Sequence, residues 1–258
     1  YMASSVQDNT LVVRTVVKGK SEIAFWDLSN CYVKKRLKLC GINYSQSCFI
    51  GDDYFAILHS KEPLITVFLL ISNDSCKNLI LPGIGQSLSA SPDGNFLLVG
   101  INNTIYIWQT CNGDLLEISS VHFKTVTNII FLNNSHFISI SKDPSIFTWN
   151  LPKILTRSSN NRIKPLCSID FINTITSYSL CLEPWVNSYK ICVIEENSFS
   201  CKIFDLLNGV FQKSVFFTTI PKNCCLNMAH TLIVFLNNTT VAKIKINCDN
   251  KEINGDEY

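Results

Sequence analysis

An all-β fold of repeated four-stranded units, the arrangement of a β-propeller, is predicted by three features of this 258-residue chain. First, bulky residues recur at the ends of short apolar runs: Trp26, Phe68, Trp108, Trp149, Phe204 and, more weakly, Ile244, at intervals of 42, 40, 41, 55 and 40 residues. A period of about 40 with a strand-terminal aromatic is how a propeller blade shows itself, because each blade repeats the same in/out alternation. Second, the runs SEIAFWDL, PLITVFLL, NTIYIWQT, PSIFTWNL, SCKIFDLL and TTVAKIKI alternate apolar and polar positions as half-buried strands do, and no helical periodicity matches them in strength. Third, the composition is 47% hydrophobic and only 16% charged, with Val, Ile, Phe and Thr in short runs between Asn, Asp, Gly and Ser clusters.

The units follow in order. Residues 1–40 form the first blade and end on a strand carrying Lys34, Lys35, Arg36 and Lys38; residues 41–82 form the second, around PLITVFLL. The third, 83–120, is the clearest, with QSLSAS, the turn Pro92-Asp93-Gly94-Asn95, FLLVG, NTIYIWQT, Asn112-Gly113 and DLLEIS. Pro92 presets φ, Gly94 accepts positive φ, and Asn-Gly is favoured in tight turns between antiparallel strands. The fourth, 121–170, repeats the plan with VTNIIF, HFISIS and SIFTWNL, then inserts a polar loop from Arg157 to Arg162, which accounts for the interval of 55. Residues 171–216 and 217–248 make the fifth and sixth, and the polar, acidic segment 249–258 is expected to be a disordered tail that adds no blade. Six recognisable blades result, of an expected seven-bladed ring whose last blade is missing or truncated.

Charge and cysteine usage narrow the function. A net charge of +2 gives no electrostatic case for wholesale nucleic-acid or membrane binding. The most apolar stretch, Pro63 to Ile71, is too short to span a bilayer and no basic-then-apolar leader opens the chain, so a soluble protein is expected; residue 1 is Tyr rather than Met, as in a fragment. Twelve cysteines are scattered without a CxxC pair, and Cys167, Cys181, Cys192 and Cys201 lie inside apolar strand patterns, which predicts reduced core thiols over disulfides or zinc. Sequons at Asn73, Asn102, Asn133, Asn237 and Asn238 read as the ordinary Asn content of turns.

The strongest local motif is in the fourth unit. His122, Ser139, Asp143 and Trp149 are spaced like the buried hydrogen-bond tetrad of a WD repeat, with Asp six residues and His twenty-seven before the Trp. A buried indole N–H needs an acceptor and a buried imidazole needs both nitrogens occupied, so such a chain of bonds fastens strands and a loop together. A hydrolase reading of the same Ser, His and Asp lacks a nucleophile elbow or any other activated-serine context. Elsewhere the aromatic stays and the Asp is lost, to Asn102, Ser198 and Asn238. His59, His136 and His230 lack metal-ligand companions and read as surface or strand-end residues. No catalytic, cofactor-binding or metal-binding set is predicted, and no cofactor is expected. Lys34, Lys35, Arg36 and Lys38 form a candidate basic contact strip for RNA phosphates or an acidic partner, against the alternative that outer strands carry Lys and Arg to discourage edge pairing.

The stretch SASPDGNFLLVGINNTIYIWQTCNGDLLEISSVHFKTVTNIIFLNNSHFISISKDPSIFTWNL is more particular than a generic WD repeat. Through ASPDG with LLVG, IYIW followed by NGDLL, VHFKTVT, and SHFIS leading to KD before the Trp, it resembles the WD-repeat subunit of the Rix/Ipi ribosome-biogenesis complex, the Ipi family in fungi and WD-repeat protein eighteen in animals. A weaker match continues through ITSYSL and KIFDLLNG. The resemblance implies a non-catalytic scaffold in the nucleolus and nucleoplasm, acting with helical-repeat Rix and Ipi subunits on precursors of the large ribosomal subunit. It further implies support for removal of internal transcribed spacer 2 and an indirect link to an AAA remodelling ATPase; direct RNA contact stays open and no membrane partner is implied. The family's seventh blade and C-terminal helical segment, associated with dimerisation, have no counterpart in this sequence. The alternatives are a chromatin-associated replication-licensing factor, as family members have been linked to that role, or a generic WD-repeat scaffold such as a ubiquitin-ligase substrate receptor.

Overall fold

The computed structural model describes residues 6–7, 10–17, 20–39, 43–72, 75–120, 122–156, 163–183, 188–227, 231–236, 240–246 and 252–254. The chain divides into two compact units, Tyr1–Asn134 and Ser135–Tyr258. Apart from one short parallel strand at a sheet edge in the second unit, both are built of antiparallel sheets whose strands follow chain order, as in the blades of a β-propeller.

Unit 1 holds three four-stranded sheets. Sheet one comprises β1 (Val6–Gln7), β2 (Thr10–Val17), β3 (Lys20–Asp27) and β4 (Tyr32–Leu39). Sheet two comprises β5 (Tyr44–Ile50), β6 (Tyr54–His59), β7 (Leu64–Leu69) and β8 (Ser75–Ile80). Sheet three comprises β9 (Ser87–Ala90), β10 (Phe96–Ile101), β11 (Thr104–Gln109) and β12 (Leu115–Ser120), and β13 (Val126–Phe131) follows it. The apolar faces of these sheets pack on one another. Phe25, Phe49 and Phe55 meet edge to face between sheets one and two, with ring centroids 5.1–6.1 Å apart. Leu58, Val99 and Trp108 belong to the cluster joining sheets two and three.

Within unit 1, β5 runs beside β9 and β9 beside β13. Gln46 on β5 spans all three: its Oε1 accepts the Leu88 N–H at 2.8 Å and its Nε2 donates to the Thr127 carbonyl at 3.3 Å. The predicted turns of sheet three carry the backbone they need, with Gly94 at φ +72 and Gly113 at φ +79.

Unit 2 contains β14 (His136–Ser141), β15 (Ser145–Asn150) and β16 (Cys167–Asp170), here called sheet four. Between β15 and β16 the helix α1 (Leu151–Leu155) begins the insertion. The pattern SIFTWNL read as strand throughout; the strand instead stops at Asn150, whose side chain caps the Lys153 N–H at 2.9 Å, and Pro152 suits the first turn of the helix that follows. The polar loop Arg157 to Arg162 lies outside the described residues. Sheet five comprises β17 (Ile175–Glu183), β18 (Ser188–Glu195), β19 (Ser200–Asp205) and β20 (Phe211–Phe216); sheet six comprises β21 (Asn223–Leu226), β22 (Thr231–Phe235) and β23 (Val241–Lys245). The segment 249–258, expected to lack structure, carries β24 (Glu252–Asn254), which pairs in parallel with β20. The open edge of β20 offers backbone donors and acceptors that even a polar segment can use.

The spacing of the aromatic beat has a physical reason. The pairing of third with fourth strand shifts register immediately before Trp26, Phe68, Trp108 and Phe204. A bulge bends and twists the edge strand; of the four residues that follow it, Phe68, Trp108 and Phe204 are buried and Trp26 is exposed. The thiols behave as predicted in part: nine described cysteines are free, Cys181, Cys192, Cys201 and Cys224 are buried, and Cys167 is only half-buried.

Candidate interaction surfaces

Trp149 on β15 is 1% exposed, and its indole Nε1 donates to Ser139 Oγ on β14 at 2.8 Å. Its ring stacks on Phe137 across the strand pair, 6.0 Å away at 14°, and takes Phe147 edge-on. Asp143 lies buried in the turn joining β14 to β15. There its N–H donates to Ser141 Oγ at 3.1 Å and its carboxylate accepts Ser145 Oγ at 2.9 Å. His122 is buried in unit 1, where its carbonyl accepts Asn103 Nδ2 at 3.1 Å. Of the four tetrad positions, then, Ser139 and Trp149 are joined directly, Asp143 organises the turn between their strands, and His122 is tied to the β10–β11 turn.

The basic strip lies on β4, the last strand of sheet one, and its charges are largely occupied. Lys34 Nζ pairs with Asp27 Oδ2 at 3.0 Å and donates to Thr10 Oγ1 at 3.2 Å. Arg36 Nη1 meets Glu22 Oε1 at 3.0 Å on the neighbouring strand. Lys35 turns to the other face and donates to the carbonyls of Leu70 and Ser72 at the end of β7, binding sheet one to sheet two. Burial pulls its ammonium below the usual lysine value. The hydrogen bond from Lys34, with those from the Asn30 and Ser29 N–H groups, holds the Asp27 carboxyl below its ordinary value. Lys38 alone of the four is exposed with no hydrogen bond or ion pair among the described residues.

Two features escaped the sequence reading. In unit 2, Glu195 at the end of β18 is 3% exposed and accepts the N–H groups of Ile172 and Asn173, at 3.1 and 3.2 Å, and the Lys202 ammonium. Burial opposes its ionisation, but Lys202 and the backbone donors outweigh burial and hold the carboxyl below the usual glutamate value. In unit 1, a groove of about 500 Å³ opens between sheets two and three. His59, expected at a surface or strand end, closes β6 but is buried, with Nε2 3.0 Å from Thr66 Oγ1 and Nδ1 3.4 Å from Glu62. His136 opens β14 and meets Asn150 Nδ2 at 3.0 Å; His230 lies outside the described residues. Among the described residues no group of three or more His, Cys, Asp or Glu is placed to hold a metal, and no helix is long and apolar enough to cross a membrane.

Over 90 residues the chain is 40% identical to WD repeat-containing protein 18 of Danio rerio, a match covering 34% of this chain and 21% of that protein. Over 108 residues it is 36% identical to WD repeat-containing protein 18 of Homo sapiens, covering 41% of this chain and 25% of that one. Pre-rRNA-processing protein pro-1 of Caenorhabditis elegans is 22% identical over 117 residues, 44% of this chain and 22% of its own. The chain is similar to WD repeat-containing protein 18 and, more distantly, to proteins named for pre-rRNA processing. No family model matches it. The matched part amounts to between a fifth and a quarter of these three relatives' length. In this chain the buried Trp149–Ser139 bond ties β14 to β15, and Trp108 packs in the cluster that joins sheets two and three.

Proposed function

We propose that this chain is a non-catalytic scaffold in pre-rRNA processing, holding other proteins on a precursor of the large ribosomal subunit. The observation that carries the reading is the joint similarity to WD repeat-containing protein 18 and to a protein named for pre-rRNA processing. The geometry supports it: Ser139, the serine that a hydrolase reading would need, accepts the Trp149 indole N–H on its hydroxyl oxygen in a fully buried site. On this reading the chain works in the nucleus, in nucleolus and nucleoplasm, beside helical-repeat Rix/Ipi-type subunits, with the AAA remodelling ATPase reached through them. Lys38 is the residue of the basic strip left to meet an acidic partner or RNA.

Pulldown of the tagged protein from nuclear extract, probed for Rix/Ipi-type partners and for RNA containing internal transcribed spacer 2, tests the reading. Recovery of both is expected, and depletion should cause spacer-containing precursor to accumulate. Recovery of neither partner nor precursor overturns it.

A further inference from the structure

Three turns far apart in sequence enclose the groove between sheets two and three: residues 51–53 join β5 to β6, residues 91–95 join β9 to β10, and residues 110–114 join β11 to β12. Its floor is apolar, from Val67, Leu79, Leu97 and Trp108. Glycines bring its ends together. A Cβ on Gly94 would lie 2.8 Å from the Gly51 nitrogen, and one on Gly113 would lie 2.8 Å from Lys77 Nζ. The rim carries Asp52 and Asp53 on one turn and Asp93 on another, beside the ammonium of Lys77; Asp52 also lines the adjoining pocket with Lys34 and Lys35. Asp93 is held in place by Ser91 Oγ at 2.6 Å and by the Asn95 N–H and Nδ2 at 3.1 and 2.8 Å. Burial opposes its ionisation, yet these bonds prevail and keep it below the ordinary aspartate value.

An apolar floor beneath an anionic rim matches a side chain with an apolar stem and a cationic head. A volume of about 500 Å³ lies in the range of about 300–1,000 Å³ that anchored ligand groups fill. Phosphate-bearing occupants, RNA included, are repelled by the three carboxylates. We propose that this groove docks an extended segment of a protein partner through an arginine side chain, with its stem on Leu79, Leu97 and Trp108 and its guanidinium among Asp52, Asp53 and Asp93. Arginine is favoured over lysine because its planar fork binds carboxylates bidentately and is more weakly hydrated. The proposal rests on the scaffold reading only in taking the occupant to be a protein.

The test pans the purified full chain against phage-displayed random peptides, then measures the selected peptides by fluorescence anisotropy against the chain and its Asp53→Lys variant. Each peptide is also made with citrulline, the neutral isostere, in place of arginine, an arm that needs no change to the protein. Cys111, exposed in the groove wall, reports occupancy through the rate of its alkylation, followed by mass spectrometry. The expected result is enrichment of arginine beside apolar residues, about tenfold weaker binding with Asp53→Lys or with citrulline, and slower alkylation of Cys111 when peptide is bound. Peptides without arginine, affinity unmoved by citrulline, an unprotected Cys111, or displacement by short RNA would each overturn it. Because the selection contains neither RNA nor Rix/Ipi-type partners, failure here leaves the pre-rRNA reading standing, and failure of that reading leaves the groove chemistry unchanged.

Discussion

Sheets four and five sit in the same unit and solve one problem differently. Sheet four places Trp149 at the beat position, so an indole N–H enters the core and Ser139 must accept it at 2.8 Å. Sheet five places Phe204 there, with no polar atom to satisfy, and packs it edge to face against Phe171 and Phe211 at 5.4 and 5.5 Å. Its polar tie moves to Glu195, which gathers the N–H groups of Ile172 and Asn173 from the loop entering the sheet. The difference teaches that the beat position demands bulk, whereas the hydrogen-bonded tie goes wherever buried backbone donors lack an acceptor.

If that is right, the largest loss should come from removing bulk. Trp149→Ala is expected to destabilise by about 3–5 kcal/mol, and Trp149→Phe, which keeps the bulk and removes the N–H, by only about 1–2 kcal/mol. Equal shifts of the denaturation midpoint for the two would break the comparison. Next, Glu195→Ala should cost about 2–3 kcal/mol, the lower side of a broken buried pair because Lys202 keeps 30% exposure. The sign of its pH effect follows from a folded pKa lowered from 4.5. Its stabilisation is present above that unfolded value and lost as pH falls through the lower folded one, so Glu195→Gln should flatten the acid limb of a stability profile. Asp143→Ala should cost about 1–2 kcal/mol by stripping the acceptor from Ser145. The smallest effect is expected for Arg36→Ala, within about 0.5 kcal/mol, since its pair with Glu22 is open to solvent; urea melts of each variant would rank them.

Much of the fold was legible because its cause is local. Alternation along NTIYIWQT and the Asn112-Gly113 turn each specify backbone within a few residues, and the aromatic beat marks a register shift next to itself. Sheet four's Ser139 and Trp149 were legible as partners because a two-strand hairpin fixes their register. Glu195 was not, since the donors it satisfies belong to residues 172 and 173, more than twenty positions earlier, and no side-chain pattern announces an orphan N–H. The charges of Lys34, Lys35 and Arg36 could be seen as a cluster, while their partners, on β2, β3 and just past the end of β7, follow from cross-strand and inter-sheet placement alone. The groove is hidden for the same reason, being the meeting of three turns from residues 51, 93 and 110 onward.

Gln46 carries one more implication. Because its amide serves Leu88 on β9 and Thr127 on β13 at once, melting sheet two takes a bond from each of two strands further along. Local opening in unit 1 is thereby coupled outward from β5, and amide exchange at Leu88 should accelerate whenever β5 lets go, even while β9 and β10 stay paired. A single side chain in this way turns three neighbouring inner strands into one unit of fluctuation.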